Sequence, residues 1–169
     1  MKEPIKYSLL ITVLVLLFTF GAKAQITVTV QGDWNFSLST ADIIEAGKDF
    51  RHIRKSDKEQ VKIDVTQSNF WWNLFYNYNW RIDIEKSDVD WDPSLKIFAK
   101  RTGDGSPYGW GGNINGGTSW LRIKNFSKRF FRGNRSRTDI PIRYKIKGIS
   151  VLLPAKTYTT TIVYTVTEL

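Results

Sequence analysis

Apolar and polar residues alternate with a period of two in six separate runs of this chain, and that alternation restricts it to strands with one buried and one wetted face. Ile26, Val28 and Val30 alternate with Thr27 and Thr29, and Val61, Ile63 and Val65 with Lys62, Asp64 and Thr66. Trp80, Ile82 and Ile84 oppose Arg81, Asp83 and Glu85, and Leu95, Ile97 and Ala99 repeat the pattern more weakly. Ile140, Ile142, Tyr144 and Ile146 oppose Arg143, Lys145 and Lys147, and the last run sets Tyr158, Ile162, Tyr164 and Val166 against threonines. Clusters of Gly, Pro, Asn, Asp and Ser separate the runs, and only Thr40 to Ala46, opening on a Ser/Thr cap with Glu45 nearby, reads as a helical turn. Seven or more short strands at such spacing predict an all-β, antiparallel sandwich with long aromatic and Gly-rich loops.

The chain opens on Lys2 and Lys6, runs apolar from Leu9 to Phe20 and closes that run with Ala22-Lys23-Ala24. This is the layout of a cleavable signal peptide over residues 1–24, with an apolar stretch too short to span a bilayer as a helix. Residues 25–169 are then expected as a single β-sandwich domain, secreted, at the cell surface or in the periplasm. No cysteine is present, which excludes a lipid-anchored lipoprotein and a disulfide framework, so the core alone must hold the fold. The chain carries 25 basic and 16 acidic groups, and dropping Lys2, Lys6, Lys23 and Glu3 changes its net charge from +9 to +7. A basic exported protein is drawn to acidic polysaccharide, anionic headgroups or nucleic acid.

Three segments carry the candidate sites. In NFWWNLFYNYNW, Asn69 to Trp80, parity puts Phe70, Trp72, Leu74, Tyr76, Tyr78 and Trp80 on one side, in phase with Ile82 and Ile84 but out of phase with Val61 to Val65. A turn, bulge or loop must therefore intervene, and the four asparagines suit a projecting hairpin or loop rooted at Trp80. Trp71, Trp72, Phe75 and Tyr76 at its tip lid the core, stack on sugar rings beside the asparagine amides, or serve as aromatic hot spots for a protein partner. Thr102 to Trp120 holds seven glycines without the lysine and helix of a phosphate-binding loop, and reads as a long flexible loop. Lys124 to Arg137 interleaves Arg129, Arg132, Arg135 and Arg137 with Phe126, Phe130 and Phe131, a basic hairpin suited to acidic groups; nucleic acid is the less expected partner in an exported protein.

Catalytic patterning is nearly absent, and no enzyme activity, metal or cofactor is expected. The single histidine, His52, has no nucleophile or orienting partner implied by spacing. Asp88, Asp90 and Asp92 match half of a calcium loop but have Pro93 and Ala99 where its Gly and Glu belong, so an acidic turn is expected.

The ending PAKTYTTTIVYTVTEL, Pro154 to Leu169, resembles the last strand of pilin-type and spore-coat-U-type exported immunoglobulin-like domains, with Lys156 in place of the usual glycine. The chain also resembles small exported proteins of Gram-negative bacteria of the Bacteroidetes type. The pilin resemblance implies an immunoglobulin-like sandwich and a structural or adhesive surface subunit that pairs with copies of itself or another exported β-sandwich by β-strand addition. Ile26, Val28 and Val30 would then donate or receive a strand, and Tyr158, Ile162, Tyr164 and Val166 would line the groove. The alternative is a monomeric secreted carbohydrate-binding module using the aromatic loop and the basic hairpin, its first strand paired within its own chain.

Overall fold

The computed structural model describes residues 25–39, 42, 50, 53–67, 78–109 and 111–169. These form two antiparallel sheets around one core, with almost no helix. The signal-peptide segment, His52, the tip residues Trp71, Trp72, Phe75 and Tyr76, and all of the Thr40–Ala46 turn except Asp42 lie outside the described residues.

The first sheet runs in the order β1 (Ile26–Gln31), β3 (Val61–Gln67), β10 (Arg137–Lys147), β5 (Lys96–Arg101), β8 (Leu121–Arg122). Two short strands complete it along β10: β2 (Ile53–Lys55) pairs with Lys145–Lys147, and β6 (Ser106–Pro107) pairs with Arg137 and Thr138. Each flank of β10 is thus a strand broken in two. On one flank buried Ser56 bridges the break, its Oγ accepting the Tyr144 N–H at 2.8 Å and its carbonyl accepting Arg143 Nε at 2.8 Å. On the other flank the break explains how a proline sits in a central strand, where its missing N–H normally rules it out. The Pro141 carbonyl faces the gap between β5 and β6 and accepts the Thr102 N–H at 2.9 Å. Gly103 lies against its ring, where a Cβ would come within 3.0 Å of Pro141 Cγ.

The second sheet runs β11 (Thr159–Glu168), β4 (Asn79–Asp90), β9 (Lys128–Asn134), β7 (Ile114–Gly116). Its inward residues, among them Trp80, Ile82, Ile84 and Phe131, meet Val61, Ile63, Val65, Ile140, Ile142 and Tyr144 of the first sheet in one cluster. The hydroxyls of Tyr144 and Tyr164 meet across the two sheets at 2.5 Å.

Two expectations change. The Gly-rich segment is not wholly a loop, since it carries β6 and β7 and passes from one sheet to the other. Buried Arg101 holds it, donating from Nε to the Gly116 carbonyl at 3.1 Å and from Nη1 to the Gly103 carbonyl at 2.7 Å. The basic segment Lys124 to Arg137 is not a hairpin, because β9 and β10 belong to different sheets and Arg135-Ser136 crosses between them. Trp80 and Tyr78 fix that crossing: Trp80 Nε1 donates to the Arg135 carbonyl at 2.6 Å, and the Tyr78 hydroxyl lies 2.6 Å from Ser136 Oγ. Trp80 is fully buried, as its parity predicts. β3 and β4 belong to different sheets, so they are not hairpin partners.

Candidate functional site

The alternation that buries Ile142, Tyr144 and Ile146 turns Arg143, Lys145 and Lys147 to the outer face of the first sheet. On β5 the same parity buries Ile97 and Ala99 and turns Lys96, Phe98 and Lys100 outward. Strand register then sets these side chains in rows. Lys55, Lys145, Phe98 and Arg122 form one row across four strands, Ile53, Lys147 and Lys96 the next, and Arg143 pairs with Lys100. Residues paired across strands stand about 5 Å apart, so the ammonium groups crowd together.

Aromatic rings hold the crowd in place. The Lys145 ammonium lies 4.1 Å from the centre of the Trp120 ring and 4.8 Å from that of Phe98. Lys100 lies 5.2 Å from Trp120, and Lys147 lies 5.7 Å from Phe98. Ring quadrupoles attract such cations, but they carry no net charge and cannot neutralise them. Among the described residues, five lysines (Lys55, Lys96, Lys100, Lys145, Lys147) and two arginines (Arg122, Arg143) share this face and form no ion pair with a carboxylate. The carboxylates answer other cations: Asp42 pairs with Arg54, Asp83 with Arg81, Asp104 with Arg101 and Asp139 with Lys62. Lys145, only 8% exposed, shows the result. Burial first, then the charges of Lys147, Lys55 and Lys100, hold its pKa below the ordinary lysine value.

At the β8 edge the face turns into a groove of about 430 Å³ that shares Lys96 and Arg122 with it. The groove adds Lys86 and Lys124, the rings of Trp91 and Phe126, and a floor of Leu95, Ile97 and Ile123. The acidic run expected as a turn is in part strand, since Asp88 and Asp90 lie on β4, and Asp88 forms part of the rim. Asp88 pairs with Lys86 and accepts from Asn125 at 2.7 Å and Thr160 at 2.9 Å. Burial opposes ionisation of Asp88, but these donors outweigh it and hold its pKa below the usual carboxylate value. Asp90 pairs with Lys156, and Asp92 accepts from the Ser94 amide and hydroxyl at 2.8 and 2.6 Å.

The residues singled out in the sequence are distributed rather than gathered. Ile26 and Val28 pack against the core and Val30 is exposed, and all three lie on β1, which pairs with β3 of the same chain over Ile26–Gln31. Tyr158, Ile162 and Val166 pack on the core beside buried Tyr164. Arg129 and Arg132 stand exposed on β9, Arg135 is half-buried at the crossing, and Arg137 is buried with its guanidinium donating to the carbonyls of Asp104, Gly105 and Gly112. The outer face of the first sheet was missed because each of its strands reads as an ordinary wetted face. The available signal was cations at every second residue around Phe98 and again at Arg143, Lys145 and Lys147. No protein-family model, curated protein or solved structure matches the chain.

Proposed function

We propose that this chain is an exported, non-enzymatic β-sandwich protein of immunoglobulin-like type that binds acidic polysaccharide at the surface or in the periplasm of a Gram-negative bacterium, with the outer face of its first sheet as the binding surface. The observation that carries this reading is the cluster of cations on that face with no carboxylate partner among the described residues. Concentrating like charges on a rigid sheet is unfavourable for the fold and favourable for a polyanion, whose binding releases counterions and relieves the repulsion. A short stretch of polymer suits the face, because its cations run along β10 from Arg143 to Lys147 and across four strands from Lys55 to Arg122, on the order of 15 Å each way. The rings of Phe98 and Trp120 already engage lysines, which argues against nucleic acid, whose bases need free ring faces.

Trp120 lies in the cluster and serves as the reporter. Fluorescence titration of the full chain with polygalacturonate in low salt gives saturable binding that weakens linearly in log Kd against log salt, and neutral galactan gives none. Lys145→Gln with Lys147→Gln weakens the polymer by at least tenfold and flattens the salt slope. Polygalacturonate binding that is absent in low salt, or that the pair of substitutions leaves unchanged, overturns the proposal.

A second reading, a surface subunit assembled by β-strand addition, is favoured by the position of β1 at the edge of its sheet, where a single strand, β3, holds it by backbone pairing and where an equivalent strand from another chain could replace it and re-cover the core beneath Ile26 and Val28. Light scattering over a range of concentrations distinguishes the two. Ladders that vanish when residues 25–31 are deleted and return with added peptide support exchange, and a monomer at every concentration rules it out.

A further inference from the structure

We infer that the groove at the β8 edge is a subsite for one carboxylate-bearing sugar unit of the acidic polymer, an inference that rests on the binding face proposed above and adds to it a place where a single ring is read. Charge gives the first argument. The Lys86 ammonium is already neutralised by Asp88, whereas Lys96, Arg122 and Lys124 meet no carboxylate among the described residues. Three cations around one opening call for an anion, and the planar Arg122 guanidinium matches a carboxylate in two-point geometry.

Shape gives the second. The sheet face is flat, but here the surface is concave, with an apolar floor at Leu95, Ile97 and Ile123 and an aromatic wall at Phe126. Lys124 and Lys128 lie over the Phe126 ring at 5.2 and 5.5 Å, yet it stays 53% exposed. A pyranose ring offers an apolar face to such a wall and hydroxyls to the rim. Asn125 gives its amide N–H to Asp88, which points its amide oxygen toward the role of acceptor for a ligand hydroxyl. A cavity of about 430 Å³ lies at the small end of the roughly 300–1,000 Å³ typical of ligand sites, the size for one or two sugar units rather than a long segment.

Preorganisation gives the third. Trp91 Nε1 donates to the Leu95 carbonyl at 2.9 Å, the Ile123 amide donates to the Ile97 carbonyl at 3.0 Å, and the Lys86 amide donates to the Lys124 carbonyl at 2.9 Å. The last of these ties β4 of the second sheet to the segment following β8 of the first, so the groove spans the joint between the sheets and its walls are held before any ligand arrives.

The test uses the full chain and three probes: a galacturonic-acid trisaccharide, a neutral galactose trisaccharide and long polygalacturonate, each titrated by calorimetry. The acidic trisaccharide binds and the neutral one does not. Phe126→Ala and, separately, Lys124→Gln weaken the trisaccharide by at least tenfold, whereas Lys145→Gln with Lys147→Gln, acting only through the charge beside Lys96, weakens it less than either. Phe126 is exposed and Lys124 only half-buried, and unchanged thermal melts of both variants confirm that the fold is intact. Equal binding of the two trisaccharides overturns the anionic assignment, and no trisaccharide binding at millimolar concentration, or binding indifferent to both groove substitutions, overturns the subsite. The two readings fail separately. Polymer binding lost in the face variants without any trisaccharide binding removes the groove alone, and trisaccharide binding with polymer binding unaffected by the face variants removes the face alone.

Discussion

Replacing Tyr144 by Phe separates two effects that the buried hydroxyl pair combines. The Tyr144 and Tyr164 hydroxyls lie 2.5 Å apart, one from each sheet, on residues 5% and 8% exposed. Tyr144→Phe leaves the Tyr164 hydroxyl in the core without this partner, which costs about 1–3 kcal/mol, and Tyr164→Phe does the same from the other side. Removing both hydroxyls removes both needs, so the double variant is more stable than the sum of the singles predicts, with a coupling of about 1–3 kcal/mol. In a chain of this size each kcal/mol lowers Tm by roughly 2–4 °C. The pH dependence follows from the same burial. Loss of solvation pushes the Tyr144 phenol up to about 12. Burial, then the neighbouring Tyr144, raises Tyr164 well above the ordinary value. A raised folded pKa means that the unfolded chain releases its proton first. The stabilisation is complete below the unfolded value near 10 and is lost as pH climbs toward the folded value of about 12. The slope in that window is about 1.4 kcal/mol per pH unit for each tyrosine. Urea unfolding at pH 8, 10 and 11 for the parent, both singles and the double measures stability and slope together. Strictly additive singles, or a double variant as sensitive to alkali as the parent, refutes the reasoning.

Other substitutions probe the joints and the face. A Cβ on Gly133 would lie 2.5 Å from Trp80 Cζ2, so Gly133→Ala destabilises by about 1–3 kcal/mol; the same substitution costs less in a Trp80→Phe background, read by thermal melts of the parent, both singles and the double. Ser56→Ala leaves the Tyr144 amide without its acceptor at the break between β2 and β3, costing about 1–3 kcal/mol, and hydrogen exchange of that amide accelerates while amides of the second sheet keep their protection. Sulfate raises Tm more than chloride at equal ionic strength, because an anion held by the cationic face stabilises the folded state. Lys145→Gln with Lys147→Gln narrows that difference toward the general effect of sulfate on folded proteins.

Much of the fold is legible because burial on one face imposes its period on the residues. Val61 to Val65, Trp80 to Ile84 and Ile140 to Ile146 are the inward faces of β3, β4 and β10, as their alternation predicts. The strands within the Gly-rich segment are too short to show any period, and what holds them is a guanidinium reaching carbonyls across the sequence, as Arg101 does toward Gly116. The cationic face is hidden for a related reason. Lys55, Lys96 and Lys145 become neighbours only through the register of β2 and β5 on β10, and nothing local to any of the three announces the other two. At Asn69 to Trp80 the root is legible, since Trp80 continues the inward parity of β4, and its partner in fixing the sheet crossing, the Arg135 carbonyl, is not.

β10 has a consequence for the order in which this chain becomes a protein. Its partners β2, β3, β5 and β6 all precede it in the sequence, and each reaches the sheet only by pairing with it or with a strand that does. Until Arg137–Lys147 has emerged, the first sheet has no spine, and its earlier strands can form only the separate pairs β1–β3 and β5–β8. Such long-range pairing makes folding slow and dependent on the late-synthesised part of the chain. The strand that organises the sheet therefore arrives after the strands it organises, and the first sheet can finish only when Arg137–Lys147 has docked against segments made well before it.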